Sequence, residues 1–253
     1  MADVLLKTEK LSRKFAQGNT GNTVLNEVDI EIYQDDFTVI MGSSGAGKST
    51  LLYTLSGMDQ NYTGKVWYHD TEISNLKESQ MAKLRAEEFG FVFQQMNLVN
   101  NLTLIENILI AGYVSKKCTA DETKKYADRL VKQMNLENAC GRLPSQVSGG
   151  EAQRAAIARA IISNPGVLFA DEPTGALNRA NSVEVLNLLT ELNRQKQSIV
   201  MVTHDLRAAV RGNRILYLED GRILDEYKLS PYSELDEKKR ENELSLWLAG
   251  LHW

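Results

Sequence analysis

The chain has 253 residues, 43% of them hydrophobic, and a formal net charge of −4, which gives a full core in one or two domains of ordinary globular composition. The acidic balance argues against a dedicated nucleic-acid binder, which would carry a basic excess, so no nucleic-acid partner is expected. Apolar stretches such as 108–111 and 199–202 are far too short to span a bilayer, and the opening Met-Ala-Asp-Val-Leu-Leu-Lys lacks the basic and apolar regions of a secretion signal, which predicts a cytoplasmic compartment.

In chain order, β-rich runs at 4–11, 24–33 and 37–41 predict strands, with the polar, glycine-bearing stretch 17–22 a loop between the first two. Directly after 37–41 come Gly42, Ser43, Ser44, Gly45, Ala46, Gly47, Lys48, Ser49 and Thr50, then the apolar Leu51, Leu52 and Leu55 of a helix. Gly42, Gly47, Lys48 and Ser49 meet the pattern G-x-x-x-x-G-K-[ST], in which glycines let successive backbone N–H groups point at phosphates and the lysine charges the β and γ oxygens. Ser49 offers a hydroxyl to Mg²⁺, and the helix start adds the positive end of its dipole. A merely flexible loop is the competing reading, disfavoured by the strand before it and the helix after it. The loop alone leaves kinases, GTPases, helicases and transport ATPases open.

Further strands are predicted at 64–68 and 89–93, with a helix at 78–88 between them. From about 97 to 164 the character is helical: Thr103 opens one helix, Thr119 with Glu122 forms a capping box for a second ending near Met134, and an alanine-rich third covers 151–163. Strand and helix then alternate at 166–170, 179–194, 198–203, 206–211 and 214–219, the pattern of a parallel sheet. The expected class is α/β with a helical insert. Asp220-Gly221 reads as a two-residue hairpin turn. Cys118 and Cys140 lack metal-ligand spacing and read as reduced, partly buried thiols. In the tail, Ser233 with Asp236 predicts a helix cap, and Leu244, Trp247, Leu248 and Leu251 form an apolar stripe. The stripe, with Trp253 beyond it, either packs back on its own domain, the favoured reading, or docks on a second subunit or membrane protein.

Two other segments carry chemistry. Val167-Leu-Phe-Ala-Asp171-Glu172 is an apolar strand ending in two acids, where Asp171 would hold Mg²⁺ through water and Glu172 would polarise an attacking water. A chance acid pair at a strand end is the alternative. Ser148, Gly149 and Gly150 form a small-residue nest at a helix start, a second anion site.

Val147-Ser-Gly-Gly-Glu151, followed by Ala152-Gln-Arg-Ala-Ala-Ile-Ala-Arg-Ala160, resembles the signature motif of ABC ATPases, LSGGQ and a helix rich in Gln, Arg and Ala. The resemblance implies a P-loop NTPase (RecA-like) core over 1–94 and 165–229, with an antiparallel β subdomain, an inserted α-helical subdomain over 95–164 and a C-terminal amphipathic helix over 230–253. It implies a nucleotide-sandwich dimer with a second copy of the chain, in which Ser148, Gly149, Gly150 and Glu151 of one copy close on ATP held by the other. Gln94 matches the Q-loop glutamine, which contacts Mg²⁺ and the membrane partner; His204 in Met201-Val-Thr-His-Asp205 matches the switch histidine. Phe15 matches the aromatic that stacks on adenine, with core packing as its alternative. By this resemblance Glu172, His204, Lys48 and Gln94 serve hydrolysis, and Ser49, Gln94 and Asp171 surround the metal. Asn178 stands where the family's D-loop has aspartate, which keeps hydrogen bonding but loses the charge.

Residues 91–98, 170–177 and 202–205 are similar to the macrolide-exporter and lipoprotein-release group (MacB and LolD type), and the tail is similar to Gram-positive antimicrobial-peptide exporters. That implies a separate integral membrane permease, a position at the cytoplasmic face of the membrane through that permease, and an amphiphilic cargo such as an antimicrobial peptide, drug or lipoprotein. A signalling or mechanotransmission subunit that moves no cargo is the alternative.

Overall fold

The computed structural model describes residues 3–17 and 20–251. Its elements run β1 (Val4–Gln17), β2 (Thr20–Val28), β3 (Glu31–Tyr33), β4 (Phe37–Met41), α1 (Lys48–Leu55), β5 (Thr63–Tyr68), β6 (Thr71–Glu72), α2 (Glu78–Glu88), β7 (Phe89–Phe93), α3 (Leu104–Ser115) and α4 (Ala120–Gln133). They continue with α5 (Gly149–Ile161), β8 (Val167–Asp171), α6 (Arg179–Arg194), β9 (Ser198–Val202), α7 (Leu206–Ala209), β10 (Arg214–Glu219), β11 (Arg222–Lys228) and α8 (Glu237–Gly250). Single 3₁₀ turns occur at Pro144–Gln146 and Glu234–Asp236. Among the described residues no helix is long and apolar enough to cross a membrane.

The chain divides into two compact units, one running up to Met81 and resuming from Ser198, the other Ala82–Gln197. In the first, β2, β1, β5 and β6 form an antiparallel sheet with β3 beside β1. β4 lies between β9 and β10, parallel to both, and β11 returns antiparallel on β10. All five residues of β4 and of β9 are buried, as expected of parallel strands covered on both faces. The β10–β11 turn has Asp220 at φ 47° and Gly221 at φ 72°, the pair of positive φ values of a type I′ hairpin.

In the second unit β7 and β8 pair in parallel, Phe89 opposite Val167 and Phe93 opposite Asp171. Phe169 packs against Phe89 and Phe91 with ring centroids 5.4 and 5.5 Å apart. Its helices begin where the side chains cap them. Thr103, Thr119 and Ser148 each close a reciprocal capping box with Glu106, Glu122 and Glu151.

Several expectations shift. The run 24–33 is two strands, because the buried Thr8 hydroxyl occupies the break: it donates to Val28 O at 2.8 Å and accepts from Ile30 N at 3.0 Å. The supposed loop 17–22 is mostly ladder, with Gln17 opposite Thr20 and only Gly18 and Asn19 outside the described residues. The helix expected at 151–163 starts two residues earlier, at Gly149, because Ser148 caps it. Ser233 caps the 3₁₀ turn rather than α8, accepting from Leu235 N, while Asp236 at the start of α8 makes no side-chain cap bond. Cys118 is exposed, and both cysteines are free.

The apolar stripe of α8 packs on its own unit. Leu244 and Leu248 are fully buried, the Trp247 ring meets Tyr217 and Tyr227 with centroids 6.3 and 5.4 Å away, and its indole N–H donates to Asp225 at 2.8 Å. Trp253 lies outside the described residues.

Candidate functional site

In the first unit β4 runs into the loop Gly42–Gly47, and α1 starts at Lys48. The loop's shape depends on missing side chains. A Cβ on Gly42 would overlap Leu218 O, and one on Gly47, at φ +102°, would sit 2.8 Å from Val24 O. Gly45, by contrast, faces open space. Lys48 Nζ donates to Gly42 O at 2.9 Å and Ser43 O at 2.8 Å, which holds the ammonium over its own loop. Ser43, Ser44 and Gly45 are exposed, Ala46 and Gly47 buried, and Ser49 and Thr50 half-buried. α1 has no side-chain cap and no acid in its first turn, unlike α3, α4 and α5. A helix start without an acid of its own, behind a loop closed to side chains, fits a polyphosphate.

Two other expected residues belong to this unit. Phe15 is 41% exposed, which rules out core packing, and the Arg13 guanidinium stacks 4.1 Å from its ring centre. That leaves an aromatic surface in reach of a planar ligand. His204 is exposed after β9. Its neighbour Asp205 caps α7, donating from its own N–H to Thr203 Oγ1 at 3.0 Å and accepting from Arg207 N at 2.9 Å.

In the second unit Asp171 ends β8 and Glu172 follows it at φ 46°, a left-handed conformation that a non-glycine residue adopts at a cost and that is common at functional positions. Glu172 O accepts from Gly175 N at 3.0 Å, which turns the chain away from the strand. Gln94 is exposed just beyond β7, and a Cβ on Gly175 would lie 2.9 Å from Gln94 Nε2. A Cβ on Gly150 would lie 2.6 Å from the Asn181 amide, so the signature glycines, the Q-loop and residues 175–181 meet in one cluster. Asn178 is the N-cap of α6, accepting from Asn181 N at 3.0 Å, a task asparagine and aspartate perform equally well.

Glu151 changes the second anion site. Its carboxylate accepts from Ser148 N at 2.8 Å and Ser148 Oγ at 2.7 Å. Those two bonds, the backbone one larger, hold the carboxyl below its usual pKa range. The turn that the sequence presents as an anion nest thus carries a negative charge of its own.

Among the described residues no group of three or more His, Cys, Asp or Glu gathers for a metal. The hydroxyl, amide and carboxylate of Ser49, Gln94 and Asp171 are hard oxygen donors, the chemistry Mg²⁺ takes when it keeps waters and shares phosphates. Gln153 and Arg159, both on α5, escape the sequence reading. Their one signal is that they are two of the few long polar residues on a helix whose buried positions are mostly Ala and Ile.

Residues 25–175 match the family model described as ABC transporter. The macrolide export ATP-binding/permease protein MacB of Vibrio parahaemolyticus is 38% identical over 224 residues, covering 88% of this chain and 34% of that protein. The same-named protein of Pasteurella multocida is 36% identical over 253 residues, covering 100% of this chain and 38% of its own length. The chain therefore spans about a third of the curated relatives it matches. The ATP-binding cassette MJ0796, solved as a dimer in a post-hydrolysis state bound to ADP and Pi, superposes with TM-score 0.83 at 34% identity, covering 90% of this chain and 100% of that one. The structure of cbiO1 of Clostridium perfringens, part of the ABC transporter complex cbiONQ, gives TM-score 0.79 at 26% identity over 96% of this chain and 93% of that one.

Proposed function

The chain belongs to the ABC transporter family, and from that premise we propose that it is the ATP-hydrolysing motor of a transporter whose membrane-spanning permease is a separate partner. The observation that carries the reading is the uncapped start of α1 behind a loop closed to side chains at Gly42 and Gly47, with Lys48 held over it. Lys48 and the loop N–H groups hold the β and γ phosphoryl oxygens, and Phe15 offers its ring to adenine. Ser49, Gln94 and Asp171 would hold Mg²⁺, which when bound would neutralise charge on the transferring phosphoryl group. Glu172 takes a proton from the attacking water, and His204 stabilises charge on the γ-phosphoryl oxygens.

Two copies clasp two nucleotides, each copy lending Ser148, Gly149, Gly150, Glu151 and Asn178 to its partner's site. MJ0796 has been solved as a dimer and two relatives are named as macrolide exporters, which supports self-association and an amphiphilic cargo such as a drug, peptide or lipoprotein. The motor sits at the cytoplasmic face of the membrane by docking on its permease.

Glu172→Gln removes the base and spares binding, so ATP should convert that variant from monomer to a long-lived dimer in light scattering. A variant that stays monomeric at saturating ATP overturns the reading.

A further inference from the structure

α5 carries the signature at its N-terminus and holds the Q-loop further along. Gln153, fully buried, donates from Nε2 to Phe93 O at 3.3 Å and to Pro173 O at 2.8 Å. Arg159 donates from Nη1 to Asn97 O at 2.6 Å and from Nη2 to Met96 O at 2.8 Å. The two side chains are six residues apart, about 9 Å along the helix, and grip the chain on both sides of Gln94 and Gln95. Arg159's described partners are both main-chain carbonyls, and its fork bridges two consecutive ones, a geometry a lysine cannot reproduce.

What the fork holds is a strained segment. Met96 and Asn97 have φ of 33° and 50°, a left-handed pair without glycine, which relaxes unless its surroundings fix it. The second bond of Gln153 reaches the carbonyl next to Glu172, so one buried amide joins the start of the Q-loop to the end of the acidic strand.

Building on the ATPase reading, we infer that Gln153 and Arg159 are positioning residues that fasten the Q-loop to the signature helix, so that Gln94 moves as one piece with Ser148. Both side chains direct their donors to main-chain carbonyls. Their effect on hydrolysis passes through the placement of Gln94 and its metal.

The test uses the full chain with Arg159→Lys and, separately, Gln153→Met, each checked by circular dichroism and thermal melting. Without nucleotide, amide hydrogen exchange in the segment 93–98 should speed up at least tenfold in Arg159→Lys, with α5 and β8 unchanged. With ATP, the Mg²⁺ concentration giving half-maximal hydrolysis should rise several-fold in both variants, while nucleotide affinity measured without Mg²⁺ stays at the parental value. Exchange that is unaltered, or raised evenly across the whole second unit, overturns the clamp; so does a fall in rate with no change in Mg²⁺ dependence. If the parent hydrolyses no ATP the function proposed above fails, and the exchange measurement still decides the clamp.

Discussion

Replacing Arg240 with methionine measures how firmly α8 belongs to the first unit. Arg240 is 2% exposed, and its guanidinium donates from Nε to Val210 O at 2.8 Å, from Nη1 to Ser230 O at 2.6 Å and from Nη2 to Gly212 O at 2.5 Å. Burial pulls its pKa down, so the native state carries a desolvation cost that the variant escapes. Against that gain, three carbonyls lose a charged donor, each such bond contributing about 1.5–3 kcal/mol. The stem volume is largely kept, so little cavity forms, and we expect a net loss of about 2–4 kcal/mol. Because Arg240 fastens the helix that seats Leu244 and Leu248, the loss should fall first on α8. In urea, Trp247 emission should therefore shift to the red at lower denaturant than in the parent, as the indole leaves Asp225, Tyr217 and Tyr227. Arg240→Lys should fall between, since a point charge cannot serve three divergent carbonyls. An unchanged urea midpoint with unshifted emission in Arg240→Met would refute the view that this fork holds the tail.

Three further substitutions, at two positions, probe the second unit. Glu151 has a folded pKa below its unfolded one, so its stabilising effect is complete above the ordinary carboxylate range and disappears as pH falls through the lowered value. Glu151→Gln keeps the capping geometry without the charge, so urea midpoints taken from pH 7 downward should fall less steeply than in the parent, and at neutral pH the ATP-driven dimer should tighten because the anion-facing turn is neutral. Asn178→Asp should leave stability unchanged, whereas Asn178→Ala should cost about 1 kcal/mol through loss of the α6 cap; equal urea midpoints for all three proteins would remove the capping role.

Local chemistry was the legible part of this chain. Thr119 with Glu122, the Asp220-Gly221 turn and the bounds of α2, α6 and β10 depend on residues within a few positions of one another, and they stand where periodicity and capping rules put them. The glycine-rich loop was readable for the same reason, since its pattern is contiguous. Contacts between distant segments were not. Thr8 splits an apparent single strand through bonds to residues 20 and 22 positions away. Arg159 reaches carbonyls more than 60 positions away, and a main-chain oxygen leaves no trace in the sequence. Glu151 follows Ser148 at the same spacing as Glu122 follows Thr119, so its cap was equally legible, but the signature motif drew the reading of that turn toward an anion nest. Nothing in the sequence sets Arg240 apart from the charges around it, and only the fold buries it.

The most direct measurement is steady-state phosphate release by the purified chain in ATP and Mg²⁺, beside Lys48→Ala and Glu172→Gln. The account predicts a Mg²⁺-dependent rate that rises faster than linearly with protein concentration, because two copies build each site, and that falls at least a hundredfold in both variants. A rate that is linear in protein and shared by Lys48→Ala would contradict it.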